Sequence, residues 1–452
     1  MARILTAGAL VASMLAPSPV ATGAPGPPPN ILIIVSDDQR QDGTMGVMSR
    51  TRRWFRRDGR RFTNAYVTTP LCCPSRASIF SGRYAHNHGV QQHKDGPSFD
   101  HSQSLQRYLG EEGYLTGLAG RYLMGTPIRR DPPAFDRWAV FGVGHVQTKL
   151  NLNGRTMKAK RYATDVAAQK AVNFLRWFER KDDDAPWLLF VTPSAPHAPY
   201  APAPRHRKAK IPTWEPNPAM SEEDRSDKPA WVQEREVIGP TEGIRARQLR
   251  MLRSVDELVD RVMRELGRLR ERRNTLAFYL SDNGLLWGEH GLRLKHSAYT
   301  QSMMVPLFMR WPGRVDGRSV DDRFVANIDL VPTALEVAGV QAPPSLIDGR
   351  SLLSSHRRDR ALVELPGASE RFGVPAWASL RTEEAQYTEY YDEEGEVIFR
   401  EYYDLVADPW QLTNLLGDAD PDNDPEAEAQ ELSEQLALDR VCYRTSGPTR
   451  CP

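Results

Sequence analysis

The sequence is poor in cysteine, in long apolar runs and in charge excess of either sign. Only 4 cysteines occur in 452 residues, too few for a disulfide-built scaffold of this size. Mean hydropathy is −0.54, which excludes a chain of many membrane spans. Lys+Arg number 59 and Asp+Glu 58, a formal net charge of +1, which argues against a dedicated nucleic-acid binder. An anionic substrate is not excluded, because one site can be basic in a neutral chain. No internal repeat is present. What remains is a chain that is 40% hydrophobic and 26% charged, long enough to bury a real core.

The longest N-terminal apolar run, residues 4–16, is shorter than the roughly 20 residues that span a bilayer. A Pro-rich stretch follows and cannot continue a helix. The pattern fits a cleaved export signal over residues 1–24, with small residues before Ala21 and Ala24. No stable membrane span is expected. The expected destination is secreted, cell-surface or periplasmic. Export would permit a Cys442–Cys451 disulfide, since Gly447 and Pro448 let the intervening loop turn back; two free thiols are the other reading.

Continuous apolar runs at 31–35, 187–191, 275–280 and 305–309 read as strands buried on both faces. Between them, 165–180 and 247–273 carry apolar residues at helical spacing with a charged opposite face. Strand–helix alternation predicts an α/β fold with a mostly parallel sheet flanked by helices. Residues 198–235 are rich in Pro, Lys and Arg and lack periodicity, so they read as a surface excursion. Residues 383–405 predict antiparallel strands turning at Glu394-Gly395, and 420–440 an acidic start followed by a helix. The organisation expected is a signal at 1–24, a catalytic domain at 25–355 and a smaller α+β subdomain with an antiparallel sheet at 356–452.

Ligands in such sheets bind at the C-terminal ends of the strands. Two apolar runs end there in acids: one in Asp37-Asp38, the other in Asp282-Asn283. Four side-chain oxygen donors suit a hard divalent cation. Asp and Asn at strand ends also serve as turn and helix caps, so these residues alone leave both readings open.

Residues 70–83 read PLCCPSRASIFSGR, with the core Cys72-x-Pro74-Ser75-Arg76. That segment resembles the signature in which type I sulfatases have a cysteine converted to formylglycine. Other segments follow in family order: 30–40, SAPHAPY (194–200), SDNG (281–284) with Lys295, 326–340 and 402–415. The chain thus resembles a formylglycine-dependent sulfatase of the alkaline-phosphatase-like superfamily. Within that family, PLCCPSRASI, RYAHNHGV, FDRW, LNLNG and YATDV resemble the N-acetylglucosamine-6-sulfatase branch.

The resemblance implies the following chemistry. An aldehyde hydrate at position 72 offers two hydroxyls on one carbon. One attacks sulfur in line, and loss of the other proton expels sulfate and re-forms the aldehyde. Asp37, Asp38, Asp282 and Asn283, with position 72, would hold a divalent metal, calcium favoured over magnesium. Arg76 would orient the diol and stabilise its alkoxide. His197 and Lys295 would contact the sulfate, and either could protonate the leaving oxygen. The implied partners are a sulfated carbohydrate of the glucosamine 6-O-sulfate type or an aryl sulfate, and a formylglycine-generating enzyme during maturation, with no nucleic acid. Phosphonate or phosphate monoester hydrolysis in the same superfamily is the enzymatic alternative. A catalytically silent glycan-binding relative is the other.

One departure bears on mechanism. Where relatives carry Gly-Lys-x-His, this chain has Arg121 and Leu123. Arg121 can stabilise an alkoxide by charge but cannot easily exchange a proton, because a guanidinium is a very weak acid. The base for the second diol proton is therefore open, with His86 and His88 as the candidates nearest in sequence.

Overall fold

The computed structural model describes residues 28–293, 295–341, 346–443 and 450–452. The expected export signal at 1–24 and the 444–449 loop lie outside them. The strands are β1 Asn30–Ser36, β2 Gly59–Tyr66, β3 Leu115–Gly120, β4 Arg137–Phe141, β5 Lys149–Leu152, β6 Arg155–Lys158, β7 Trp187–Thr192, β8 Thr275–Ser281, β9 Leu307–Arg310, β10 Ser319–Ala326, β11 Ala361–Leu365, β12 Ala376–Arg381, β13 Ala385–Tyr391 and β14 Val397–Asp404. The helices are α1 Ser49–Arg57, α2 Cys72–Ser81, α3 Ala85–His88, α4 Leu105–Glu111, α5 Ala163–Lys181, α6 Ala230–Gln233, α7 Glu242–Arg268, α8 Thr300–Met303, α9 Leu330–Ala338 and α10 Glu426–Asp439.

Ten strands form one sheet in the order β10-β2-β9-β8-β1-β7-β3-β4-β5-β6. The central neighbours β8, β1, β7 and β3 are mutually parallel. The apolar runs have a direct cause. In β1, Ile31, Ile33 and Val35 enter one core cluster with Phe80 of α2 and Leu330 of α9, whereas Leu32 and Ile34 enter another with Phe174 of α5 and Leu252 of α7. Both faces are covered, so Ile31 to Val35 are all apolar and the polar residues Asn30 and Ser36 fall only at the strand's ends. The run at 305–309 also forms a strand, β9, but it enters antiparallel to β8 and β2.

The two long helices arise where helical spacing predicts them, with shifted ends: α5 buries Ala171, Phe174, Leu175 and Phe178, and α7 buries Leu249, Leu252, Val255, Val259 and Val262. A paired Arg176–Glu265 contact at 2.6 Å joins them.

A second, antiparallel sheet runs β11-β12-β13-β14. Its β13–β14 turn includes Gly395 at φ 89°, as the Glu394-Gly395 pair predicts. Trp377, Tyr390 and Tyr403 of this sheet pack with Leu71, Leu286 and Tyr299 of the larger unit. Cys442 and Cys451 form a disulfide. Among the described residues no helix is long and apolar enough to cross a membrane.

The 198–235 excursion holds short helical turns at Pro204–His206 and Pro218–Ser221 besides α6. Two of its cations are paired within the fold. Arg205 binds Asp165 at 2.6 Å and Glu257 at 2.5 Å, and buried Lys228 binds Asp227 at 2.9 Å and Glu222 at 3.4 Å.

Candidate active site

Four adjacent parallel strands deliver the site. The β1–β8 register pairs Ser36 with Ser281, so Asp37 and Asp282 leave the sheet side by side. The Asp282 N–H donates to the Ser36 carbonyl at 3.0 Å, and the Asp38 N–H donates to the Asp282 carboxylate at 3.1 Å. On the other side of β1, β7 leads into the segment bearing His197, and β3 leads into Arg121. Gly120 makes the last step geometrically feasible. A Cβ there would lie 2.1 Å from the Thr192 carbonyl, and without one the Arg121 N–H reaches that carbonyl at 2.7 Å.

Cys72 opens α2, a helix whose ten residues are all buried. Its thiol faces the acids, with Sγ 3.5 Å from Asp37 and 3.7 Å from Asp38. Lys295 reaches both Cys72 Sγ and Asp38 Oδ1 at 2.5 Å. Arg76, one turn along α2, is clamped on three sides. Nε donates to Asp282 at 2.9 Å, one terminal nitrogen to Asp37 at 3.2 Å and the other to the Arg121 carbonyl at 3.2 Å. Asn283 Nδ2 donates to Asp38 at 2.7 Å. His197 Nε2 lies 3.7 Å from Asp38 and the side chain is 28% exposed, so it faces the cleft.

The electrostatics describe a cluster of acids short of positive charge. Asp37, Asp38 and Asp282 are buried, facing Arg76 and Lys295. Burial raises Asp37, but His197, Arg76, Arg121 and Lys295 outweigh it and hold the carboxyl well below its usual range. Its neighbour Asp282 takes the opposite shift: burial, then the Asp37 charge, push it up to about 6. Burial pushes the Cys72 thiol far up, with Lys295 opposing. Burial alone would lower Lys295, but Asp38 and Cys72 hold it charged.

This donor set fits a hard divalent cation. Asn283 Oδ1 is buried and unpartnered, a cost that a bound cation would remove. Asp37, Asp38, Cys72 and His197 also present ligand atoms within 4.8 Å of one another. Arg121 is 6% exposed, and among the described residues its guanidinium has no hydrogen bond or ion pair, so it is free for an anion.

The structure therefore brings together Asp37, Asp38, Cys72, Arg76, Arg121, His197, Asp282, Asn283 and Lys295. It does not bring His86 or His88 with them. His86 binds Glu364 at 2.9 Å and the Cys442 carbonyl at 2.9 Å, whereas His88 binds Ser78 at 3.0 Å and the Val90 N–H at 3.1 Å. The reason is that α3 turns away from α2 toward the C-terminal sheet, where Glu364 lies on β11.

Three residues escaped the sequence reading. Gln248 on α7 donates to the Asp38 and Pro196 carbonyls at 3.3 and 3.4 Å, bracing the two loops. His145 is buried and donates from Nε2 to the His197 carbonyl at 2.8 Å. His93, exposed on a short helical turn, lies near enough to Lys295, Asp37 and Asp38 to feel their charges. None lies in a recognisable motif. Only the count of 10 histidines in the chain could have drawn attention to two of them.

The sulfatase family profile matches residues 29–340, more than half of the chain. The chain belongs to the sulfatase family. The chain also matches the C-terminal region of N-sulphoglucosamine sulphohydrolases over residues 288–438. It is 35% identical over 347 residues to the extracellular sulfatase SULF-1 homolog of Drosophila melanogaster, covering 72% of this chain but only 31% of that relative. It is 29% identical over 459 residues to human N-acetylglucosamine-6-sulfatase, covering 87% of this chain and 82% of the relative. A solved structure in complex with its substrate D-glucosamine-2-N,6-O-disulfate superposes with a TM-score of 0.78 at 24% identity, over 90% of this chain and 97% of that one, which shows the shared fold.

Proposed function

We propose that this sulfatase is an exported sulfuric-ester hydrolase acting on a sulfated sugar of the glucosamine 6-O-sulfate type, or on an aryl sulfate. The observation that carries the reading is Cys72 at the buried start of α2, within 3.7 Å of Asp37, Asp38 and Lys295 together. An inert structural cysteine would be packed among apolar groups, not against three charges. The sugar preference draws support from the human relative and from the disulfated glucosamine in the solved structure. Export draws support from the Drosophila relative, named as extracellular, and from the Cys442–Cys451 disulfide.

Asp37, Asp38, Asp282 and Asn283, with position 72, would hold the divalent cation, calcium being favoured by an all-oxygen shell rich in carboxylates. A bound cation supplies charge to neutralise a sulfate, and formylglycine at position 72 supplies a nucleophile with two hydroxyls. The remaining work falls to side chains. Arg76, clamped by Asp37 and Asp282, is fixed to orient position 72 before substrate arrives. Lys295, held charged beside position 72, and Arg121, whose guanidinium has no partner among the described residues, would be the two cations for the sulfate oxygens. His197, the most solvent-facing of the group, and Lys295 are the two donors able to protonate the leaving oxygen.

The test is intact-peptide mass spectrometry of protein coexpressed with the maturation enzyme, with kinetics on paired aryl sulfate and aryl phosphate. Conversion of Cys72 lowers the peptide mass by about 18 Da, thiol to aldehyde. Sulfate turnover should exceed phosphate turnover. An unmodified Cys72 in active protein, or preference for the phosphate or a phosphonate, overturns the reading.

A further inference from the structure

A second basic site lies at the edge of the large sheet. Helix α1 and strands β2, β9 and β10 enclose a groove of about 260 Å³. Its twelve lining residues include four arginines, Arg52, Arg56, Arg61 and Arg318, and neither Asp nor Glu. All four arginines are exposed. Among the described residues, none of their guanidinium groups has a hydrogen bond or ion pair. Two acids nearby are committed elsewhere: Asp321 to Arg60 at 3.2 Å and Arg323 at 2.8 Å, and Asp58 to Arg310 at 3.1 Å. The floor is apolar, built from Phe62 and Leu307 among others.

The groove is constructed rather than incidental. Arg52 and Arg56 stand one turn apart on the same face of α1, about 6 Å between Cβ atoms. Arg318 is held beside them, its N–H donating to the Arg56 carbonyl at 2.8 Å with φ at 60°, a conformation non-glycine residues rarely adopt. Gly317 permits this approach, since a Cβ there would meet the Arg57 carbonyl at 2.4 Å. Local backbone strain retained at a surface point to function. Like charges brought together without counterions also raise the folded state's energy, a cost that an anionic ligand would remove.

We propose that this groove is an accessory subsite for a sulfated polysaccharide chain, a deduction that rests on the site being one for sulfated sugars. Four planar guanidiniums match sulfate groups. Gln41 lines the groove and follows Asp38 by three residues, so its Cα lies within about 11 Å of that metal-site loop. A polymer held at the groove can therefore extend toward the cleft, so the subsite raises the local concentration of long substrates.

The test compares Arg56→Ala/Arg318→Ala with an equal charge change elsewhere, Arg155→Ala/Arg180→Ala, both pairs exposed. Salt-dependent binding to heparin is measured for the folded proteins. The groove pair should flatten the log–log salt slope by about 2, one per released counterion contact, while the control pair leaves it unchanged. KM for a sulfated polymer should rise several-fold in the groove pair, with kinetics on a small aryl sulfate unaltered. Equal heparin slopes in all three proteins overturn the proposal. So does binding of phosphatidylserine vesicles, but not heparin, through the same arginines. Failure of aryl sulfate turnover in every protein would instead refute the catalytic reading and leave the heparin result standing.

Discussion

Two buried acidic clusters in this molecule have opposite characters. Glu401 on β14 is fully buried and closed: Tyr299 and Tyr403 donate to one oxygen at 3.1 and 2.8 Å, Tyr390 to the other at 2.8 Å. Lys228 lies above the Tyr403 ring at 5.0 Å. The Asp37–Asp38–Asp282 cluster is equally buried but open. Among the described residues neither Asn283 Oδ1 nor the Arg121 guanidinium has a hydrogen-bond partner, and Asp282 is pushed up to about 6 by burial and by Asp37. A closed network holds a fold together, since each polar group already has its partner. An open one stores unmet electrostatic demand that a cation and a sulfate can satisfy.

The sharpest way to break this contrast is to cut each cluster and read both activity and stability. Cys72→Ala should lower aryl sulfate turnover by at least about 10³-fold, the scale of losing a nucleophile, with little change in melting temperature. Glu401→Ala should do the reverse. It strands three buried tyrosine hydroxyls, costing about 3 kcal/mol, while turnover of the protein that remains folded stays near native. Loss of turnover at unchanged stability in the Glu401 variant would erase the distinction.

Metal binding sharpens the open cluster. Asp282, raised to about 6 in the metal-free protein, must be ionised to bind a cation. Below that pH the proton competes, so calcium affinity should fall up to about tenfold per pH unit, with protons released on binding. Calorimetry in buffers of different ionisation enthalpy measures this. Asp282→Asn should bind calcium more weakly and lose the pH dependence. Chelation should lower the melting temperature of the native enzyme, by about 2.7 kcal/mol of stability if the metal had been at a hundredfold its Kd.

The closed cluster has its own pH signature. Burial raises Glu401 against the opposing pull of Lys228 and the tyrosines. A raised carboxyl contributes stability below its unfolded pKa of about 4.3 and loses it as pH rises through the folded value. Glu401→Gln, neutral at every pH, should therefore gain on the native protein as pH increases. Denaturation midpoints at pH 4 through 8 would show the two lines converging or crossing.

The two clusters also differ in how far the sequence announced them. The acids of the site were legible because they follow uninterrupted apolar runs, and a strand buried on both faces must end where polar residues begin. Cys72 and Arg76 were legible through a short local motif on one helix. Glu401 was not, since its partners sit 102 and 11 residues away and on the next position but one, with no common spacing. Gln248 and His145 were hidden for the same reason: each braces a loop from an element remote in sequence. The antiparallel entry of β9 was hidden too, because an apolar run buried on both faces carries no sign of direction.

The smallest expected effect on catalysis concerns His86 and His88, which sequence proximity made candidates for the base. A base needs a free lone pair directed at the substrate. His88 has both nitrogens engaged, by Ser78 and the Val90 N–H, and burial followed by Arg83 pushes it down to about 3. His86 is raised, Glu364 outweighing burial, and faces the Cys442 carbonyl with its other nitrogen. As a cation with a partner it contributes stability below the unfolded pKa of about 6.5, lost as pH rises through its folded value. His86→Gln should therefore be destabilised more at pH 5 than at pH 9, with kcat within about twofold of native, the size expected of a group that touches no reacting atom. His88→Asn should likewise retain kcat. A collapse of kcat in either variant at unchanged melting temperature would return a catalytic role to this histidine pair and extend the open cluster beyond the residues gathered around Asp37, Asp38 and Asp282.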